Sequence, residues 1–191
     1  MGNVIFDISM SLDGFITAAH ARPQAGLGEG GERLHDWGFH SADPRNRKVM
    51  EWYGRVGANI FGRTGYDHSI LHWGADGSTG AARIPTVIVS HSLPQDVPEG
   101  SVYSFVDSVD AALETAQKLA GAKDIYITGA DVARQFLQRG LIDEISVHLV
   151  PVLFGSGRRL FEHLEGEHIA LEIIEVIQTA EAIHLRFRVM R

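Results

Sequence analysis

Three short stretches carry residue types that together can hold an anion. In IFGRTGYD (60–67), Gly62 lets the backbone turn closely, Arg63 brings a permanent positive charge to the start of a helical pattern, and Thr64 follows it. In VIVSHSLP (87–94), Ser90, His91 and Ser92 stand where an apolar run ends. In YITGADVARQ (126–135), Thr128, Gly129, Ala130, Asp131 and Val132 join an apolar run to a helical one. Backbone N–H groups at two helix starts, with one arginine, suit a ligand bearing more than one phosphate. Taken alone, the residues leave a second reading open, in which the glycines serve ordinary turns and Arg63 is a surface cation.

Two other patterns advertise chemistry. AGLGEGGERL (25–34) contains G-x-G-x-x-G at Gly26, Gly28 and Gly31. That fingerprint works only between a buried strand and a helix, where the pyrophosphate meets the helix N-terminus. TAAHARPQA precedes it, with Pro23 and small polar residues, and no long apolar helical face follows. A flexible glycine-rich loop is expected here, with any nucleotide held elsewhere. His68 and His72, beside Asp67, share a helical face at i, i+4 spacing. H-E-x-x-H is absent and no third ligand is evident, so no metal is expected.

The elements that must position these residues alternate. Strands are expected over 3–11, 58–62, 86–90, 102–106 and 124–128, and helices over 43–57, from Arg63 to about Leu71, over 107–121 and over 130–140. Asp43 can cap the first helix, with Pro44 in its first turn, and Asp107 the third. The tail changes to β-rich segments, DEISVHLVPVLF, HIALEIIEVIQ and AIHLRFRVM, the last two joined by a turn at TAEA. A mostly parallel α/β sheet with an antiparallel C-terminal addition follows, its ligand site at the carboxyl ends of the strands. Residues 74–83 read as a second loose loop.

Composition narrows the partners. The chain has 191 residues, a formal net charge of −7 and no cysteine. One domain over 1–191 is expected. The acidic balance argues against nucleic acid or an anionic membrane as partner, and the missing thiols remove disulfides and thiolate catalysis. No run is long and apolar enough to span a membrane, and the N-terminus lacks signal-peptide character, so a cytoplasmic location is expected.

In order and spacing the three junctions resemble dihydrofolate reductase, and more closely the reductase domain of the bifunctional riboflavin-biosynthesis deaminase-reductase and its stand-alone bacterial relatives. SMSLDGFI (9–16), HDWGF (35–39), IFGRTGYD, TVIVSHS (86–92) and the block ITGADVARQFLQRGLIDEISVHLVPVLFGSGRRLF (127–161) carry the resemblance over nearly the whole chain. It implies a dihydrofolate-reductase-like fold, with helices on both faces of the sheet, and NADPH-dependent reduction of a pyrimidine- or pterin-like substrate. Gly62, Arg63 and Thr64 would hold phosphate, and Ser90, His91 and Ser92 the adenosine 2′-phosphate. Gly129, Ala130, Asp131 and Val132 would wrap the pyrophosphate, and Ile8, Ser9 and Ile16 would flank the nicotinamide. Thr128 departs from the pattern, where a second glycine is usual.

A proton must also reach the substrate. Asp36 and Asp43 are the candidate donors, Asp43 with a rival role as helix cap. Asp13, Trp37 and Arg158 are candidate substrate contacts. Asp13 equally suits a turn, Trp37 a core position and Arg158 a solvated turn. The resemblance implies a homodimer. The competing reading is a catalytically silent nucleotide-binding dimer that serves as sensor or interaction module; a third is a structural dimer without ligand. The chain carries no zinc-ligand motif of the deaminase kind.

Overall fold

The computed structural model describes residues 2–162, 164 and 168–190. Apolar strand-length runs become β1 (Val4–Ser11), β2 (Val56–Gly62), β3 (Thr86–Val89), β4 (Tyr103–Val106), β5 (Asp124–Thr128), β6 (Glu144–Val150), β7 (Leu171–Gln178) and β8 (Ile183–Val189). They form one eight-stranded sheet in the order β4-β3-β2-β5-β1-β6-β8-β7. Pairing is parallel from β4 through β6 and antiparallel where β8 joins β6 and β7 joins β8. The helices are α1 (Asp36–Phe39), α2 (Pro44–Met50), α3 (Arg63–Trp73), α4 (Val109–Ala120) and α5 (Ala130–Gln138).

Strand alternation gives the sheet two unlike faces. Phe6, Ile60, Ile127, Ile145 and Val147 point to one face and pack with Ala112 and Ala116 of α4 and Val132, Ala133 and Phe136 of α5. The other face carries buried polar side chains: Asn59, Asp7, Ser9, His148 and His184. Register aligns them, since Ser9 pairs with His148 and His148 with His184. Leu34, Trp37 and Val49 cover this face at one end, and Tyr66 of α3 packs with Phe61 and Ile88 at the other. Helices thus lie on both faces.

Several boundaries differ from expectation. The helix expected over 43–57 ends at Met50 and tightens into a 3-10 turn, Glu51–Arg55. Val56 is drawn into the sheet and buried, so β2 starts before Ala58. Ser108, not Asp107, caps α4, its side chain accepting from the Ala111 amide. Residues 74–83 are not loose. Two 3-10 turns, Gly74–Asp76 and Gly80–Ala82, are pinned where Arg83 grips Asp76 and the Gly100 carbonyl.

Nor is the glycine-rich loop without fixed contacts. The Ala18 amide donates to the Leu27 carbonyl at 2.7 Å, and the Glu29 amide to the Ala19 carbonyl at 3.0 Å. Gly28 holds φ at +79°, and a Cβ there would lie 2.4 Å from the Ala18 carbonyl oxygen. The glycines permit close approach rather than motion. A turn at Arg22–Ala25 precedes the segment and a 3-10 helix, Gly31–His35, follows, so the strand and helix that a dinucleotide fingerprint needs are both missing.

Candidate active site

A cleft of about 2140 Å³ opens where β1, β2, β3 and β5 end. Single-ligand sites run to roughly 1,000 Å³, so a dinucleotide and a second molecule fit side by side. The structure brings every residue named above for the cofactor into its lining: Ile8, Ser9, Ile16, Gly62, Arg63, Thr64, Ser90, His91, Ser92, Thr128, Gly129, Ala130, Asp131 and Val132. The ordered glycine-rich loop adds Gly26 and Gly28, and His68 and His72 of α3 face the same space.

Two helices begin on this cleft. α2 and α4 end their first turns with side-chain caps, from Asp43 and Ser108. α3 and α5 start at Gly62 and Gly129 with no side-chain cap. Their first-turn amides therefore remain donors for an anion, reinforced by the helix dipole. The two starts converge, because a Cβ on Gly62 would come within 3.1 Å of Val132 Cγ2. Gly129 has φ +102° and ψ +135°, a conformation open to glycine and costly for other residues.

Arg63 ties the second junction to the first. Its Nη1 donates to the Ser92 carbonyl at 2.8 Å and to Ser90 Oγ and Ser92 Oγ, each at 3.2 Å, while Nε donates to Asp67 at 2.7 Å. The guanidinium is thus oriented in advance beside two hydroxyls. At the start of α5, the Asp131 carboxylate pairs with Arg158 Nη2 at 2.5 Å and with Arg134 at 3.6 Å. Those arginines offset the carboxylate's repulsion of an anion at that helix end. Thr128 turns its hydroxyl onto the Asp7 carbonyl at 3.2 Å.

The cleft floor is polar and tightly bonded. Asp7 lines it. Tyr53 donates its hydroxyl to Asp7 Oδ1 at 2.7 Å, and His148 Nε2 lies 3.3 Å from Asp7 Oδ2. Behind it, His148 Nδ1 meets His184 Nδ1 at 2.8 Å, and His184 Nε2 meets Asn46 Oδ1 at 2.7 Å. Burial works to raise the Asp7 carboxyl, but the His148 charge and bonds from His148 and Tyr53 outweigh it and hold it below the ordinary range. Burial, then the neighbouring His148, pushes His184 down to about 4. Asn59 also lines the cleft, and its Nδ2 is buried and without a hydrogen-bond partner among the described residues. Such a donor is set for a ligand oxygen.

The proposed proton donors stand elsewhere. Asp43 caps α2 by accepting from the Arg45 amide at 2.8 Å and grips the Arg45 guanidinium. Asp36 pairs with His40 at 3.0 Å. Neither lines the cleft. Asp13 is a latch rather than a substrate contact. It accepts from Ser11 Oγ at 2.6 Å and from the amides of Gly155 and Phe154 at 2.7 and 3.2 Å, and these bonds hold its carboxyl down at about 2. Arg158 lines the cleft but engages Asp131. Trp37 also lines it, yet its indole packs on His148 at 4.3 Å and donates to Ser9 Oγ at 3.0 Å. Its buried ring therefore supports the floor.

Asp7, Tyr53, His148, His184 and Asn59 escaped the sequence reading. Polar residues at every second position of apolar strands, Asp7-Ser9-Ser11 and Ser146-His148, are the signal that would have found Asp7 and His148.

A riboflavin biosynthesis protein from Shewanella sp. PV-4, provisionally so named, superposes with a TM-score of 0.70 at 24% identity over 100% of both chains. Acinetobacter baumannii RibD gives 0.65 at 22%, covering 100% of this chain and 58% of that one. Saccharomyces cerevisiae riboflavin biosynthesis reductase Rib7 gives 0.60 at 15%, over 99% and 90%. A Thermotoga maritima diaminohydroxyphosphoribosylaminopyrimidine deaminase/5-amino-6-(5-phosphoribosylamino)uracil reductase gives 0.65 at 13%, over 99% and 57%. The chain thus spans somewhat more than half of the Acinetobacter baumannii and Thermotoga maritima proteins. No curated protein matches it. These likenesses fix the fold, and the family model of the RibD C-terminal domain matches residues 3–185, nearly the whole sheet and every wall of the cleft, so the chain belongs to the RibD C-terminal domain family.

Proposed function

We propose that this protein is a reductase that binds NADPH in the cleft and passes its hydride to a pyrimidine- or pterin-like heterocycle. One observation carries the reading: two helix starts that lack side-chain caps, those of α3 and α5, converge on one cleft beside an arginine fixed against two serines. That arrangement suits a pyrophosphate and an additional phosphate. Bound there, the cofactor supplies hydride. The protein's part is to place it and to exclude water.

The name of the Thermotoga maritima relative supports a pyrimidine substrate, and that of the Saccharomyces cerevisiae relative a reductase. Asn59 Nδ2 and the Asp7 carboxylate offer a donor and an acceptor for the edge of such a ring. A cytoplasmic homodimer completes the proposal. The acidic, cysteine-free chain favours the first term, and the exposed apolar residues of β7 favour the second.

Titration with NADPH and with NADH, read by tryptophan fluorescence, tests the cofactor. NADPH is expected to bind more tightly. Arg63→Ala is expected to weaken NADPH by about 1–3 kcal/mol, and NADH far less. Equal losses would remove Arg63 from the 2′-phosphate. Tight binding without oxidation by 5-amino-6-(5-phosphoribosylamino)uracil or dihydrofolate would favour the silent sensor instead.

A further inference from the structure

The buried network behind Asp7 has its protons dictated from its far end. The Glu181 carboxylate can only accept, and it takes Asn46 Nδ2 at 3.0 Å. That orients the amide, so Asn46 Oδ1 faces His184 and must be given a proton by His184 Nε2. With His184 neutral, its Nδ1 is an acceptor, and His148 Nδ1 must be the donor to it. A neutral His148 would then present a bare Nε2. The groups facing that nitrogen are Asp7 Oδ2 and the Tyr53 oxygen, each at 3.3 Å, and the Tyr53 proton is already given to Asp7 Oδ1 at 2.7 Å.

A bare nitrogen among acceptors in a buried site is costly, and one additional proton resolves it. Moving the Tyr53 proton to His148 takes it from Asp7 Oδ1 and leaves the buried carboxylate with the Ser146 hydroxyl alone. The proton count of the group is the same in either arrangement. The remaining ionisable neighbours are His35, whose burial lowers it toward the neutral form, and Tyr126, which burial pushes above its ordinary range. Neither supplies a bond to His148 Nε2 among those formed by the described residues.

We propose that Asp7 and His148 hold one proton between them on the cleft floor, and that this proton follows the hydride onto the substrate. The delivery half rests on the reductase reading above. Asp7 reaches the cleft and His148 stands behind it, so the carboxyl is the group that touches substrate. A substrate carbon in a C=O or C=N bond accepts hydride, with its electron pair, from the reduced nicotinamide. The π pair moves onto oxygen or nitrogen, and that atom takes the shared proton through the Asp7 carboxyl, to which His148 Nε2 yields it. Asp7 is left ionised and His148 neutral, and solvent recharges the pair when product leaves. The sum is one hydride and one proton added across the double bond.

Nitrogen-15 spectra of histidine-labelled protein test the store without any substrate. Near neutral pH, both ring nitrogens of His148 are expected to carry protons. In Asp7→Asn the new amide can donate to Nε2, which is expected to lose its proton. A bare Nε2 in the wild type overturns the proposal, whether or not the variant folds. Turnover with NADPH and 5-amino-6-(5-phosphoribosylamino)uracil tests delivery. Asp7→Asn is expected to lower kcat by about 100-fold or more, to abolish the fall of kcat on the basic side, and to leave NADPH affinity unchanged. An unchanged kcat, or a loss explained by lost NADPH binding, overturns delivery. A wild type inert with this pyrimidine overturns the substrate reading, and the spectra still decide the store.

Discussion

His184 shows how one buried side chain couples the fold to pH. Its imidazole is fully buried between His148 and Asn46, and burial holds it near 4, against 6.5 for an ordinary histidine. The unfolded chain takes up its proton as pH falls through about 6.5, while the folded chain refuses it until about 4. Stability is therefore lost across that window as pH falls, with a limiting slope of about 1.4 kcal/mol per pH unit. Asp7 acts in the same direction. Its folded value is lowered, so its contribution is present above the unfolded value and disappears as pH falls through the folded one. His184→Gln is expected to shrink the difference between urea midpoints at about pH 7 and about pH 5. An unaltered difference would show that His184 is not the group responsible.

At the scale of elements, the apolar runs were legible and the polar floor was not. TVIVS and DIYIT read directly as strands because buried parallel strands leave little room for polar residues. Gly62-Arg63 and Thr128-Gly129 were legible as strand-to-helix junctions because turn chemistry is local. Asp7, His148 and His184 were not, since each sits within an apolar strand and gains meaning only through register with strands far along the chain. Asp36 and Asp43 drew notice because the resemblance implies an acidic residue on the helix ahead of the Gly62-Arg63 strand; Asp43 instead stands at a helix start, where a carboxylate more often caps than reacts. The glycine-rich loop was misjudged for a related reason. Composition records the lack of side chains, but not the carbonyls packed into the space they leave. Gly28→Ala is expected to destabilise the protein by about 1–3 kcal/mol. Gly30→Ala, with a similar φ of +74° but nothing within 4 Å of its Cβ, should cost less. Urea unfolding of the two variants measures the contact apart from the backbone strain; equal costs would mean that the loop does not pack as described.

At the scale of the molecule, the two sheet edges differ. β4 is half-buried, while β7 exposes Leu171, Ile173, Ile174 and Val176, with Ile173 at 65%. An edge strand this apolar invites another chain. Ile173→Lys combined with Val176→Lys is expected to convert a dimer to a monomer in light scattering, with NADPH affinity retained. A wild type that is already monomeric would refute the dimer.

The long separations within the sheet carry a consequence for how the protein is made. β1 is central, yet both its neighbours, β5 and β6, come from residues beyond 120. His148 reaches Asp7 across 141 positions of chain, and β8 must then dock on β6 to bring in His184. Closing such loops precedes any reward from the contacts, which slows folding. A nascent chain emerging from the ribosome therefore carries an apolar β1 with no partner until β5 and β6 appear, a period in which a chaperone has something to hold. Asp7 is synthesised well before the residues that surround it, and it acquires its chemical surroundings only when β6 and β8 arrive.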